Sequence, residues 1–385
     1  MNIIRTQKVL EGFCTAAASQ AFLCADTEFI HEKTFFARLC LIQAATPETE
    51  VIIDPLQTGL DLVPFLELLS NPGVVKVMHA ARQDMGIFYQ INGKVPAPLF
   101  DTQVAAMALG YGPSTGYATL VKGRLKRDLD KNARLTDWAH RPLSREQLSY
   151  ALGDVTHLRD MYPDMRAELE NRGRLQWVME EMGPMLDPKL YENVPERAWE
   201  GLRLRSSKRP YLAALKAAAA WRERRAIEKD VPRRHILGDD ALHVIATQQP
   251  RDLSTLAKAR GVPDGLKRSR AAGQLVQDIR AALENIDGYA PEVPAHRQMP
   301  PNLGPLVEML RTLLRLRTEY QDIAPLMVAS ARDIEQIAAF GDEADVPALR
   351  GWRREVFGED ALALLKGQIA MRLENGEVVA ERISS

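Results

Sequence analysis

At 385 residues the chain is longer than one ordinary domain, and two or three are expected. A composition of 46% hydrophobic and 26% charged residues is that of a globular protein and excludes a disordered chain. The formal net charge of −1 conceals an asymmetry: from Arg203 to Arg234 eleven Lys/Arg stand against Glu223, Glu228 and Asp230, whereas from Pro291 to Ser385 fifteen acids outnumber eleven bases. Charge of one sign concentrated mid-chain suggests a polyanion contact there.

The N-terminal stretch MNIIRTQKVLEGF lacks the apolar core of a signal peptide, and no apolar run approaches the ~20 residues of a membrane span. A cytoplasmic protein with no membrane contact is expected. Cys14, Cys24 and Cys40 lack CxxC spacing and read as buried, reduced thiols. Strand-like runs follow at Phe22–Ile30, Phe35–Ala44 and Val51–Asp54, then a helical pattern at Val63–Ser70, a strand at Val74–His79 and a helix from Ala81 to Tyr89. Three close strands before alternating elements predict a mixed sheet with helices, an α/β domain. Helical patterns continue at Thr102–Leu109, Tyr117–Gly123 and from Ser144, where Ser144 and Gln147 form a capping box. Past residue 190 strand signals fade, and the remainder reads as helical. The Pro-dense segment 288–304 is the clearest linker, flanked by a weak repeat in which Leu242 and Ile245-Ala246 match Ile334 and Ile337-Ala338.

Four carboxylates and a tyrosine carry the chemistry: Asp26 and Glu28 in LCADTEFI, Asp84 in KVMHAARQDMGIF, and Tyr150 with Asp154 in LSYALGDVTHL. Asp26 and Glu28 are two apart in a strand pattern, so both side chains leave one face. Tyr150 and Asp154 are four apart in a helical pattern and stack one turn apart. A buried cluster of acids resists ionisation unless cations neutralise it, and hard oxygen ligands suit Mg²⁺ or Mn²⁺. The set reads as a two-metal phosphodiester hydrolase site, in which two divalent ions flank an in-line displacement.

Asp-x-Glu, a distant Asp and Tyr-x-x-x-Asp, in that order, resemble the DEDD superfamily of 3′→5′ exonucleases. MHAARQD, FDTQVAAMALG, TDWAHRPLSREQLSYALGDV and the C-terminal half are similar to the ribonuclease D family. The resemblance implies an RNase H-like exonuclease domain over 1–195 and two small all-α HRDC-like domains over 205–288 and 304–385, joined by a linker at 289–303. It implies an exoribonuclease that trims 3′ extensions on tRNA precursors and other structured RNA, with 5′-mononucleotides as products, acting as a monomer. By the same resemblance Asp26 bridges two metals, Glu28 and Asp154 complete the nucleophile side, Asp84 the leaving-group side, and Tyr150 orients the attacking water. The histidine subtype places His five residues before the last Asp. Here that position is Ser149, so Tyr150 marks the tyrosine subtype and His157 reads as a residue of a neighbouring helical face.

Thr27 and His79 are candidate substrate contacts, a satisfied core histidine being the alternative for His79. Asp101 reads as a helix N-cap rather than a fifth ligand. Arg222, Arg224, Arg225, Arg233 and Arg234 are candidate phosphate contacts, since few acids are interleaved with them. No Walker A motif occurs, which argues against a RecQ-type helicase despite the shared HRDC module. Two other readings are a DNA exonuclease of the same superfamily, which the carboxylates alone do not exclude, and a binding protein with a relict nuclease domain, against which the intact set of five residues argues.

Overall fold

A computed structural model describes residues 2–129, 136–293 and 297–383. The elements run β1 (Ile3–Ile4), α1 (Gln7–Ala17), β2 (Phe22–Ile30), β3 (Arg38–Ala45), β4 (Glu50–Ile53), α2 (Val63–Leu69), β5 (Val75–Met78), α3 (Arg82–Asn92), β6 (Leu99–Asp101), α4 (Thr102–Ala108), α5 (Tyr117–Leu125), α6 (Arg145–Asn171) and α7 (Leu175–Met182). Helices α8 (Arg209–Lys229), α9 (Arg233–Ile236), α10 (Asp239–Gln248), α11 (Leu253–Lys258), α12 (Asp264–Lys267), α13 (Arg270–Glu284) and α14 (Ile286–Tyr289) follow. The C-terminal part holds α15 (Gly304–Gln321), α16 (Pro325–Val328), α17 (Ala331–Phe340), α18 (Gly351–Arg353), α19 (Glu359–Leu365), β7 (Ile369–Glu374) and β8 (Glu377–Arg382).

The first six strands form one mixed sheet in the order β1-β4-β3-β2-β5-β6, with β3 antiparallel to β4, and β5 parallel to both β2 and β6. Leu23, Cys24, Leu41, Ile42, Ile52 and Val77 are fully buried in it, as the near-continuous apolar runs require. Strand β3 begins at Arg38 instead of the expected Phe35, and the cause is a competing acceptor. The amides of Phe35 and Phe36 donate to Asp230 Oδ1 at 3.0 and 3.1 Å, so this turn is ordered by a carboxylate instead of a ladder.

Packing divides the chain into two units, one of residues 1–28, 41–190 and 297–385, the other of residues 29–40 and 191–296. The first unit therefore takes in the third segment along with the sheet. Within it Trp177 of α7 stacks on Trp352 with ring centroids 4.5 Å apart and planes at 9°. Buried Arg174 donates to Ala108 O at 2.9 Å and also reaches Gln321 O, and the Ala324 amide donates to Met107 O at 2.9 Å. The C-terminal region is helical as expected, with one addition. β7 and β8 pair antiparallel about Asn375-Gly376, whose φ values of 52° and 87° are those a tight hairpin turn demands.

In the second unit α8 packs on α10 and α13 around Leu212, Leu215, Trp221, Leu242, Leu275 and Ile279. Part of the expected linker, residues 294–296, lies outside the described residues.

Candidate active site

Strand alternation places Asp26 and Glu28 on one face of β2, with Thr27 turned to the opposite, buried side. Helix α6 is started by the anticipated capping box: the Gln147 amide donates to Ser144 Oγ at 3.1 Å, and the Ser144 amide donates to Gln147 Oε1 at 2.9 Å. Loss of such a cap costs about 1 kcal/mol. The cap fixes the helical phase on which Tyr150 and Asp154 project one turn apart. Carboxylate oxygens of Asp26, Glu28 and Asp154 come within 4.8 Å of one another, each half-buried. Burial, and then the charges of Asp84, Asp154 and Glu28, push the Asp26 carboxyl well above the usual range.

Asp84 sits in the first turn of α3, buried, outside this tightest triplet. Its carboxylate accepts the Thr27 hydroxyl, and burial raises its pKa to about 6. The hydroxyl of Thr27 is thus used to hold Asp84. That overturns the expectation of a nucleotide contact by this side chain, which is only 5% exposed.

Asp101 is the N-cap of α4, accepting the Gln103 amide at 2.8 Å. Its carboxylate also accepts the amides of Ala80 and Ala81 at 3.0 and 2.8 Å, tying down the turn that leads into α3. Thr102 Oγ1 donates to Met78 O at 3.1 Å, so His79 Nδ1, 3.0 Å away, donates to Thr102. The buried His79 Nε2 has no partner, and burial lowers the ring's pKa. His79 is thus anchored through Nδ1 alone, so it is not the fully satisfied core histidine expected as the alternative.

Several supporting residues escaped the sequence reading. Tyr117 Oη donates to Asp154 O at 2.7 Å and Gly153 O at 3.0 Å, pinning α6 where Asp154 leaves it. Burial first, then the Asp154 and Asp26 charges, raise its phenol far above the ordinary value, so it remains a donor. Arg141 grips Asp54 at the end of β4 through two bonds of 2.7 and 2.8 Å, and donates to Trp138 O at 2.7 Å. Trp138 in turn lies 6.1 Å from the Tyr150 ring. His157 bonds Gly153 O, one turn back on its own helix.

The basic cluster needs correction. Arg222 is 4% exposed, with its guanidinium on Leu237 O and Asp239, so it is a core anchor and no phosphate contact. Arg224 bridges Glu196 and Asp278, Arg225 pairs with Glu228, and Arg233 grips the buried Glu223. Acids that look scarce along the segment arrive largely from other elements. Arg234 is exposed and has no ion pair among the described residues.

Residues 1–170 match the family model of a 3′-5′ exonuclease, and residues 212–276 that of the HRDC domain. Ribonuclease D of Nitrobacter hamburgensis is 44% identical over 98% of this chain and 99% of its own length. The enzyme of Jannaschia sp. is 43% identical over 98% of each. Among solved structures, Escherichia coli RNase D, an exoribonuclease involved in structured RNA processing, superposes with a TM-score of 0.79 at 28% identity, covering 95% of this chain and 99% of that one. A Bifidobacterium adolescentis protein shares the fold, with a TM-score of 0.62 at 21% identity over 95% of this chain and 97% of that one. Identity of this order from end to end, over an exonuclease region followed by an HRDC domain, makes the chain a member of the ribonuclease D family of 3′→5′ exoribonucleases.

Proposed function

We propose that Asp26, Glu28 and Asp154 hold a divalent cation, Mg²⁺ or Mn²⁺, and that Asp84 with Asp26 completes the set for a second. The observation that carries this is the convergence of three carboxylate oxygens within 4.8 Å from two separate elements. Burial, and then like charges this close, raise the Asp26 carboxyl above its usual range, and a hard cation on an all-oxygen donor set offsets that penalty, so the residues fit the group. When bound, such ions supply a water acidified toward neutral pH and neutralise charge on the leaving 3′-oxygen. The chain's own residues do the rest. Tyr150 orients the attacking water by hydrogen bonding. Tyr117 keeps Asp154 in register, and Thr27 keeps Asp84 turned inward.

The substrate class we assign is tRNA precursors and other structured RNAs with 3′ extensions. The printed role of the Escherichia coli relative in structured RNA processing supports it. The HRDC module within 205–288 would act as a collar on the RNA body while the 3′ end enters the nuclease domain of 1–195. The third module, 304–385, braces that domain through α7. Three reduced, buried cysteines suit the cytoplasm, and among the described residues no helix is long and apolar enough to cross a membrane.

The test is a 5′-labelled, tRNA-like RNA with a 3′ extension, incubated with Mg²⁺ or Mn²⁺ and resolved by length over time. Stepwise shortening by single nucleotides with release of 5′-mononucleotides, abolished by EDTA, is expected. Internal cleavage, or undiminished hydrolysis in EDTA, refutes the assignment.

A further inference from the structure

Strand β2 changes its surroundings part-way along. Packing assigns residues up to Glu28 to the first unit and residues 29–40 to the second. Burial fades at the same place: residues 22–25 and Thr27 are buried, whereas Glu28, Phe29 and Ile30 are half-buried. The core that fixes the start of the strand does less for its end, where Glu28 sits. We propose that Asp230, at the end of α8, is a positioning residue for the nuclease reaction, a role that rests on Glu28 being a metal ligand. Asp230 clamps the turn after β2 and thereby fixes the strand end that carries Glu28.

Three observations support this. The first is the clamp. Residues 31–37 lie outside the strand ladder, and Asp230 Oδ1 accepts the amides of Phe35 and Phe36 at 3.0 and 3.1 Å. Within the turn His31 Nε2 donates to Phe35 O at 3.0 Å and Thr34 Oγ1 donates to Phe36 O at 2.6 Å, so the segment is held as one body. The second is the seat of Phe35. Its ring is 7% exposed, with the Arg233 guanidinium 4.7 Å from its centre, and Arg233 is itself fixed on buried Glu223. The turn is thus held by its backbone and by a ring at once. The third is a conflict within α8. Asp230 caps this helix in the left-handed region, at φ 47° and ψ 53°. Glycine is the usual residue there, and the C-terminal end of a helix favours a cation over an acid. Asp230 suits its own helix poorly on both counts, and its carboxylate finds its use in the turn.

Asp230→Gly in the full chain separates the two roles. Glycine suits the left-handed cap, so α8 should keep its end while the turn loses its acceptor. Thermal melting checks that the fold holds, and hydrogen exchange should quicken over residues 29–40 while the buried part of α8 exchanges as in wild type. By calorimetry the dissociation constant for Mn²⁺ should rise on the order of tenfold. The Mn²⁺ concentration that half-saturates hydrolysis of an oligomer of a few nucleotides should rise with it, while KM for the oligomer at saturating Mn²⁺ should not change. Asp230→Asn keeps an oxygen acceptor and tolerates the left-handed region, so it should restore Mn²⁺ binding to within about twofold of wild type.

Glu28→Gln supplies the reference. If Asp230 acts through Glu28, adding Asp230→Gly to Glu28→Gln should weaken Mn²⁺ binding no further. Additive losses would overturn the positioning role, as would wild-type affinity in Asp230→Gly beside a weakened Glu28→Gln. A loss in Asp230→Asn as large as that in Asp230→Gly would also overturn it, since the clamp on the amides is then not what counts. Wild-type affinity in Glu28→Gln would instead remove Glu28 as a ligand, and the reading beneath the proposal would fall with it.

Discussion

Removing metal should make the stability of this protein depend on pH in a direction opposite to that of most acidic residues. Asp84 is the group to follow, because burial raises its carboxyl to about 6 from an ordinary 3.8. A shift of roughly two units corresponds to about 3 kcal/mol of differential interaction. The sign follows from which state holds the proton. Between the unfolded value and the folded one, the native state keeps a proton that the unfolded chain has lost. The resulting stabilisation is fully present below about pH 4 and lost as pH rises through about 6. Asp26, raised by burial and then by Asp84, Asp154 and Glu28, acts in the same direction. Asp84→Asn keeps an oxygen acceptor for Thr27 and removes the titration. Thermal melts in EDTA from pH 4 to 8 should therefore show wild type losing about 3 kcal/mol relative to Asp84→Asn, or about 6 °C at roughly 2 °C per kcal/mol. Adding Mg²⁺ or Mn²⁺ should remove the loss in wild type, since the cation takes the place of the proton. Parallel melting curves for the two proteins across this range would refute the reasoning.

Asp26→Asn should reduce kcat by on the order of 10²-fold or more in single-turnover assays with excess metal, while RNA retention in a filter assay persists. Tyr150→Phe deletes one hydroxyl, so metal affinity by calorimetry should be unchanged while kcat falls about 10²-fold; wild-type kcat at saturating metal would remove its orienting role. Tyr117→Phe forfeits the bonds of 2.7 and 3.0 Å to α6, which should lower stability by about 1–2 kcal/mol and weaken metal binding, with KM for RNA unaffected.

The nuclease motif was legible because each piece lies on a single element. Period two puts Asp26 and Glu28 on one face, and a one-turn spacing pairs Tyr150 with Asp154. Asp101 was legible for the same local reason, since an N-cap bonds a residue two positions on. What escaped depends on residues distant in sequence. Tyr117 reaches Asp154 across 37 positions, and Arg141 reaches Asp54 across 87. No periodicity announces such pairs. The basic segment misled because a local charge count ignores acids delivered from elsewhere, Asp278 to Arg224 across 54 positions above all. Arg222 misled further, since an arginine in a helix pattern gives no sign that its guanidinium will be buried against Leu237 O and Asp239. The terminal hairpin, by contrast, carried its Asn375-Gly376 turn signal in plain view. The long helical run before it drew attention away.

The first unit is discontinuous along the chain, and that has a consequence for how the protein emerges from the ribosome. Its sheet and α7 are complete soon after residue 182, yet Trp177 stacks on Trp352, and Arg174 donates to the carbonyl of Gln321. At ~5–20 residues per second those partners arrive roughly 10–35 s later. The larger segment of the other unit, residues 191–296, is synthesised in the interval. Vectorial synthesis thus lets the helical module of residues 191–296 close first, while the nuclease waits with an uncovered tryptophan and a buried-type arginine. A nascent chain stalled before residue 352 would offer that surface to chaperones, whereas one released at full length would hide it at once.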